Sequence, residues 1–88
     1  MKQAITVQVK LFMSLKKYLP ENAQEGRTFV TLEEGATLKD LMMRLGMPLE
    51  EDKIIVINGI SHKQSDKTNA IALQDGDVVA MFPPIAGG

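Results

Sequence analysis

The sequence has no cysteine, no tryptophan and a single histidine, His62, among its 88 residues. Without cysteine the chain cannot have a disulfide framework, a thiolate metal site or a cysteine nucleophile. One histidine cannot form a multi-histidine metal site, so we predict no bound metal. No apolar run approaches the roughly 20 residues that span a bilayer, and the N-terminal residues lack the apolar block of a signal peptide. These absences predict a cytoplasmic protein without a membrane partner.

The charges are nearly balanced, with ten Lys and Arg against eleven Asp and Glu. Nucleic-acid binding usually needs a basic excess that neutralises phosphates, so we predict no nucleic-acid partner. Hydrophobic residues make up 44% of the chain, which is ordinary for a globular domain. The length fits one domain, which we place at residues 1–82, followed by a flexible tail at residues 83–88.

Alternating apolar residues predict two strands near the N-terminus, over residues 5–11 and 28–32. We expect them to form a hairpin with a long connection. Within this connection, residues 14–19 read as a short helical turn that Ser14 caps and Pro20 ends. Phe12 follows the first strand at a position of polar parity, so the pattern places its ring on the outward side.

The clearest helix signal begins at Thr37, a predicted N-cap with Asp40 at the third helical position. Leu38, Leu41, Met42 and Leu45 form one apolar stripe, which predicts that this side of the helix packs on the core. Gly46 supplies the left-handed position that ends many helices, and Pro48 prevents continuation.

The C-terminal half predicts a β-branched strand at residues 54–57 and a last strand at residues 78–82. Four consecutive β-branched residues indicate either a strand covered on both faces or one that faces a partner. Asn58-Gly59 predicts a turn, and the polar segment 61–69 reads as a loop. The order of elements predicts an α+β fold, in which one main helix packs on one face of a mixed sheet of four to five strands.

We find no ordinary active site in the sequence. Residues 50–52 are an acidic cluster, but adjacent carboxylates do not converge on one reacting atom, and a solvated loop is the better interpretation. His62 reads as a surface histidine, and none of the serines has a nucleophile motif. The methionines fall mainly on the helix stripe and in strands, which favours core filling.

The end of the sequence carries the strongest chemical signal. Gly87-Gly88 follows a strand, two prolines and two apolar residues, whereas a simple flexible tail is more often polar. A carboxylate is ionised at neutral pH and is a weak electrophile, so attack by sulfur or nitrogen needs prior activation. Two residues without Cβ can enter a narrow channel that a side chain would block. Pro83-Pro84 shortens the free segment, and the steps from Phe82 to Gly88 reach at most roughly 20 Å.

The last ten residues, VAMFPPIAGG after Asp75-Gly76-Asp77, resemble the C-terminus of the small subunit of molybdopterin synthase. The wider group is the ubiquitin-like β-grasp sulfur carriers, which includes the thiamine-pathway carrier. Weaker similarities, shared by many β-grasp proteins, lie at residues 9–12, 37–41 and 56–59. The resemblance implies a β-grasp fold over most of the chain.

The resemblance also implies a function. An E1-like enzyme would use ATP to adenylate the Gly88 carboxylate, and a sulfur donor enzyme would supply the sulfur that makes it a thiocarboxylate. The thiocarboxylate would donate sulfur to a molybdopterin or tungsten-pterin precursor inside a large catalytic subunit. The chain itself would be neither an enzyme nor the holder of a cofactor. The implied partner-binding residues are Phe12, Phe82, Pro83, Pro84, Ile85, Ala86 and Gly87.

Three alternatives stay open at this stage. The chain could carry sulfur for another product, such as thiamine or a thiolated tRNA base. It could modify proteins through an isopeptide bond from Gly88, because a lysine amine can attack the same activated carboxyl. It could also be a β-grasp binding module without terminal chemistry. The length of the polar segment 61–69 is a departure from the family pattern.

Overall fold

The computed structural model of the protein describes residues 3–84. They form eight elements: strand β1 (Ala4–Leu11), a 3-10 helix (Met13–Tyr18), strand β2 (Arg27–Glu33), helix α1 (Leu38–Leu45), strands β3 (Ile54–Ile57) and β4 (Ile60–His62), helix α2 (Asp66–Asn69) and strand β5 (Val78–Phe82). The strands form one sheet in the order β2-β1-β5-β3-β4. This confirms the predicted α+β fold with a mixed sheet and one main helix.

The two ends of the described chain meet in the middle of the sheet. β1 pairs with β2 in an antiparallel hairpin and with β5 in parallel, from Gln8 beside Val78 to Leu11 beside Met81. β3 pairs antiparallel with β5 on one side and with β4 on the other. β5 is therefore the central strand, and among the strands of residues 3–84 it alone joins the β1–β2 hairpin to the β3–β4 hairpin.

One face of the sheet packs against α1 and forms a single hydrophobic core. The inward residues of β1 alternate with exposed or half-exposed ones, as the sequence predicts. We call the opposite side of the sheet, away from α1, the outer face. The fully buried side chains that fill the core are Val7, Val9, Leu11, Leu15, Leu38, Leu41, Met42, Ile55, Val79 and Met81.

Helix α1 begins and ends where the local signals predict. The Thr37 hydroxyl accepts a hydrogen bond from the Asp40 backbone N–H at 3.3 Å, and the Asp40 carboxylate accepts one from the Thr37 N–H at 2.8 Å. This reciprocal capping box lowers the pKa of Asp40 through the backbone hydrogen bond. Gly46 adopts φ 74°, the left-handed conformation that ends the helix.

The polar segment 61–69 is not the loop that we predicted. It contains β4, which pairs with β3, and the short helix α2, whose N-cap Ser65 accepts a hydrogen bond from the Thr68 N–H at 3.1 Å. Three residues are too few for a strand pattern, and β4 forms because the Asn58-Gly59 turn folds it back onto β3. The predicted turn itself is confirmed.

One smaller prediction is wrong, and another holds for most of its residues. The helical segment after β1 begins at Met13 with Phe12 at the N-cap, and no side chain caps it, so Ser14 does not have the predicted role. Met42, Met47 and Met81 are buried in the core as predicted, whereas Met13 and Met43 are 68% and 62% exposed. Met43 is exposed because it follows the buried Met42 on α1, where successive side chains point in different directions.

Candidate partner-binding face

The position of β5 is held by a polar network at its first residue. Asn58, in the turn after β3, donates from its side chain to the Asp77 carboxylate at 2.9 Å. Its side-chain oxygen accepts from the Val78 N–H, and its backbone N–H donates to the Val78 carbonyl, both at 2.8 Å. Asp75 accepts from the Thr6 N–H of β1 at 2.8 Å. These bonds tie the start of β5 and the turn before it to both neighbouring strands, and so they fix the register with which β5 enters the sheet.

Phe12 and Phe82 lie side by side at the C-terminal ends of β1 and β5. Their ring centroids are 5.6 Å apart at an interplanar angle of 81°, an edge-to-face arrangement. The Phe12 N–H donates to the Met81 carbonyl at 3.2 Å, so the β1–β5 pairing continues past Leu11 and Met81. Phe12 and Phe82 therefore follow at matching positions, with both rings on the same side of the sheet. Phe12 is 41% exposed, as its parity predicts. The structure thus brings together the two aromatic residues for which the family resemblance implies a partner-binding role.

The aromatic pair belongs to a larger apolar area on the outer face. Ile54 is opposite Phe82, and Val56 is opposite Ala80 in the β3–β5 register. All four side chains are half-exposed. The strand at residues 54–57 is therefore covered on one face only, which supports the partner-facing alternative of the two that the sequence left open. We call Phe12, Phe82, Ile54, Val56 and Ala80 the apolar patch.

Two cations lie beside the apolar patch. Lys10 is directly opposite Arg27 on β2, and on its other side it is opposite Ala80. Like charges directly opposite each other destabilise a sheet. Arg27 also contacts the exposed carboxylate of Glu25 at 3.4 Å. Sequence reasoning missed this cationic pair, because each residue reads as an ordinary outward side chain of its own strand.

The loop at residues 48–53 is closed by a buried lysine. The Lys53 ammonium donates to the carbonyls of Pro48 at 3.3 Å, Leu49 at 3.4 Å and Glu51 at 2.5 Å. The Gln64 side chain bonds the same loop and accepts from the Lys53 N–H at 3.1 Å. Burial lowers the pKa of Lys53, and the neighbouring acidic residues oppose that shift. Glu50 and Asp52 are exposed, so the predicted solvated loop is confirmed for these two residues, and Lys53 and Gln64 hold its backbone in place.

The carboxylate of Glu51 has a partner of its own, the Tyr18 hydroxyl, which donates to it. This hydrogen bond raises the pKa of Tyr18. It joins the 3-10 helix after β1 to the loop that precedes β3. Glu51 is thus half-buried and engaged in structure, unlike the exposed Glu50 and Asp52 on either side of it.

Pro83 and Pro84 extend from β5, the first half-buried and the second exposed. Pro84 lines a shallow cleft together with Ile54, His62 and Lys63. The predicted site residues Ile85, Ala86, Gly87 and Gly88 lie outside the described residues.

Within residues 3–84, no group of three or more His, Cys, Asp and Glu side chains is arranged to hold a metal ion. None of the helices described there is long and apolar enough to cross a membrane.

The sequence profile of the family described as Mut7-C ubiquitin matches residues 4–86. The chain belongs to this family. The match spans every strand and helix described above, so the ubiquitin-like resemblance seen in the sequence is confirmed. No curated protein matches the Mut7-C ubiquitin chain.

Solved structures with the same fold cover nearly the whole chain. The Haloferax volcanii protein HVO 2177 has a TM-score of 0.69 and 23% identity, over 97% of this chain and 88% of that one. A Pyrococcus furiosus protein assigned as molybdopterin converting factor, subunit 1, has a TM-score of 0.66 and 25% identity, over 92% and 99%. SAMP1 from Haloferax volcanii has a TM-score of 0.67 and 23% identity, over 94% and 99%. The Mut7-C ubiquitin chain thus has the β-grasp fold of small ubiquitin-like carriers and modifiers.

Proposed function

We propose that the chain is a sulfur carrier whose Gly88 carboxylate is adenylated and then converted to a thiocarboxylate. The observation that carries the proposal is the Gly87-Gly88 pair placed shortly after the central strand β5. The Gly88 carboxylate attacks the α-phosphate of ATP, and pyrophosphate leaves. Sulfur at the sulfide level, delivered by the sulfur donor enzyme, then attacks the carbonyl of the acyl adenylate, and AMP leaves. The chain contributes the carboxyl group and a surface for recognition, and partner enzymes contribute the catalytic side chains. Because the proposed reaction consumes ATP, we propose the cytoplasm as its location.

The geometry around β5 supports a chain that supplies the reacting carboxyl group and a recognition surface, while its partners supply the catalytic side chains. Residues 1–82 would be the folded domain, and residues 83–88 would be the tail that enters a partner's channel. The apolar patch lies where the tail leaves the sheet, so a partner that holds the tail would also contact Phe12 and Phe82. Exposed aromatic side chains at such positions are common anchors of protein interfaces. The partners we propose are an E1-like adenylating enzyme, a sulfur donor enzyme and a large catalytic subunit.

The sulfur acceptor that we favour is a molybdopterin or tungsten-pterin precursor. The similarity to the Pyrococcus furiosus protein assigned as molybdopterin converting factor, subunit 1, supports this choice. The chain would then act as the non-catalytic small subunit of a molybdopterin synthase. Thiamine and thiolated tRNA bases are alternative products of the same chemistry.

A second candidate is a protein modifier joined to lysine through Gly88. The similarity to small archaeal modifier protein 1 from Haloferax volcanii favours it. The two candidates share adenylation of the terminal carboxyl and differ in the nucleophile that follows, sulfur in one and a lysine amine in the other.

The first test uses the absence of cysteine. The chain is purified from its native host, treated with a thiol-alkylating reagent and digested, and the mass of the C-terminal fragment is measured. The chain has no cysteine thiol, so a label on the C-terminal fragment would report a thiocarboxylate. If the proposal is right, we expect this label on the fragment that ends at Gly88. A fragment that extends past Gly88, or an unlabelled terminus in the presence of the activating enzyme and a sulfur source, would contradict the carrier proposal.

The same preparation separates the two candidates. A modifier would give high-mass adducts in the host that disappear when Gly88 is deleted, with no alkylated terminus. Phe12→Ala is a useful companion variant, because it should reduce labelling by weakening the contact with the activating enzyme. Phe29→Ala, an exposed phenylalanine outside the apolar patch, is the matched control and should be labelled normally.

A further inference from the structure

The sheet has one long open edge. β2 is seven residues long and lies at one side of the sheet, whereas the strand at the other side, β4, has only three residues. The Leu11 N–H donates to the Gly26 carbonyl at 2.9 Å, which makes these two residues a hydrogen-bonded pair. Because such pairs alternate along antiparallel strands, Thr28, Val30 and Leu32 also bond to β1. The intervening residues turn their backbone groups to the open edge.

Only the two ends of this edge have backbone partners among the described residues. Arg27 exchanges two hydrogen bonds with Gln24, both at 3.0 Å, and the Glu33 carbonyl accepts from the Ala36 N–H at 3.0 Å. Phe29 and Thr31, between these ends, have no further backbone hydrogen bond within residues 3–84. Both side chains are exposed, Phe29 by 69%. An unpaired strand edge of this kind is a template for another strand.

The charges along the edge change sign from one end to the other. Lys17 and Arg44 line a cleft beside residues 28–31. Glu34 and Asp40 line a second cleft beside residues 32–36, next to the exposed Met43, and Arg44 lies between the two clefts and lines both. The strand itself follows the same order, because it starts at Arg27 and ends at Glu33. The basic half of the edge is therefore complementary to its own acidic half.

We propose that β2 pairs antiparallel with β2 of a second copy, with Thr31 on the twofold axis. Antiparallel pairing brings the start of one strand to the end of the other, so unlike charges meet. In this register Phe29 is opposite Glu33 of the second copy, and Arg27 is diagonal to the same glutamate, within reach of a long side chain. The backbone groups of Phe29 and Thr31 point toward the new ladder from both copies, as does the N–H of Glu33. The Glu33 carbonyl, which already accepts from the Ala36 N–H, would accept a second hydrogen bond there.

A second copy fits this edge because the surface is self-complementary about one axis, which a twofold dimer requires. The existing contact of Arg27 with Glu25 does not compete strongly, since both side chains are exposed, by 50% and 80%. β1 separates β2 from β5. The dimer would therefore leave Phe82 and the residues that follow it available to partners. The dimer proposal does not depend on the proposed sulfur chemistry.

Two measurements on the full chain test the proposal: sedimentation equilibrium from micromolar to millimolar concentration, and amide hydrogen exchange followed by NMR over the same range. We expect a reversible dimer and a Thr31 amide whose exchange slows as the concentration rises. Thr31→Pro should weaken dimerisation by about tenfold or more. It should leave the monomer folded, because the N–H that it removes faces the open edge. Thr31→Val keeps the N–H and should dimerise like the parent.

A charge exchange gives a second test that does not depend on proline. Arg27→Glu should weaken the dimer by about tenfold, because the twofold axis repeats each unfavourable pair. Adding Glu33→Arg to the same chain should restore it, and Lys63→Glu, outside the edge, should have no effect.

A chain that stays monomeric at millimolar concentration would overturn the proposal. So would a dimer that is insensitive to Thr31→Pro and to the charge exchange. Slower Thr31 exchange only after addition of a synthetic peptide RTFVTLE, without a dimer, would also overturn it.

Discussion

Lys53 shows how one residue can organise a loop from inside. Its side chain is 4% exposed and donates to three backbone carbonyls, a role that a bound cation could fill in another protein. Charged side chains are almost never this buried unless they have partners. Here the partners are carbonyl dipoles, which satisfy the hydrogen bonds of the ammonium and leave its charge partly unbalanced.

This balance predicts a pH dependence of stability. The pKa of Lys53 is lowered from 10.5 by burial. Between the folded and unfolded pKa values the unfolded chain binds more protons, so stability rises with pH across this alkaline window. We expect Lys53→Met to lack this rise. Urea unfolding of both proteins at several alkaline pH values measures it, and parallel curves for the two would show that Lys53 is not the source.

Lys10 offers a test of the cationic pair on the outer face. Lys10→Glu replaces a repulsion by an attraction to Arg27 and should stabilise the protein by about 0.5 to 1 kcal/mol. The gain should shrink in high salt, since both groups are solvated. Thermal unfolding at low and high salt measures it. Lys63→Glu makes the same charge change in an exposed loop and should leave stability nearly unchanged.

At the scale of residues, the sequence predicted the side-chain directions that follow from alternation along a strand. It missed the contacts that form only between segments distant in the sequence. The outward position of Phe12 followed from alternation along β1. The burial of Lys53 did not, because the three carbonyls that it binds come together only when the loop before β3 folds around it. The neighbouring Lys10 and Arg27 were missed for a related reason: their contact depends on the register between two strands.

Among the elements, α1 gives the sharpest prediction. Leu41 is fully buried on the stripe that faces the sheet, and Met43, two residues later, is 62% exposed. Leu41→Ala should destabilise the fold by about 2 to 5 kcal/mol, because it removes core contacts and leaves a cavity. Met43→Ala on the same helix should change stability by less than about 0.5 kcal/mol. Chemical denaturation compares the two, and equal effects would mean that the stripe is not the core-facing side.

Helix α1 was predictable because its signals are local: a capping box, an apolar stripe and a glycine at the end. β4 and α2 were not, because three and four residues carry too little pattern for any period to be seen. The 3-10 helix was predicted in place, but its first residue was not, since Met13 adopts φ 55°, which no sequence rule anticipates for methionine. Elements that form only through tertiary contacts cannot be predicted from local sequence patterns.

For the whole molecule, the proposed function makes a prediction about length. One residue added after Gly88 should abolish thiocarboxylate formation, because the carboxyl moves beyond the position at which a partner activates it. Stability should not change, since the core ends at Met81. Alkylation with fragment mass spectrometry measures the first, and thermal unfolding measures the second. The matched control carries the same residue before Met1, and labelling of the extended chain would contradict the prediction.

The place of β5 in the sheet also determines when the protein can fold. A ribosome makes this strand after all the others described here, yet the sheet has no centre without it: a chain that stops short of residue 78 consists of two separate hairpins. Isolated hairpins are marginally stable in water. Folding must therefore wait until synthesis has passed Phe82. A product truncated before β5 would remain unfolded and open to proteases. Nearly every folded copy in the cell would therefore contain the complete C-terminal strand.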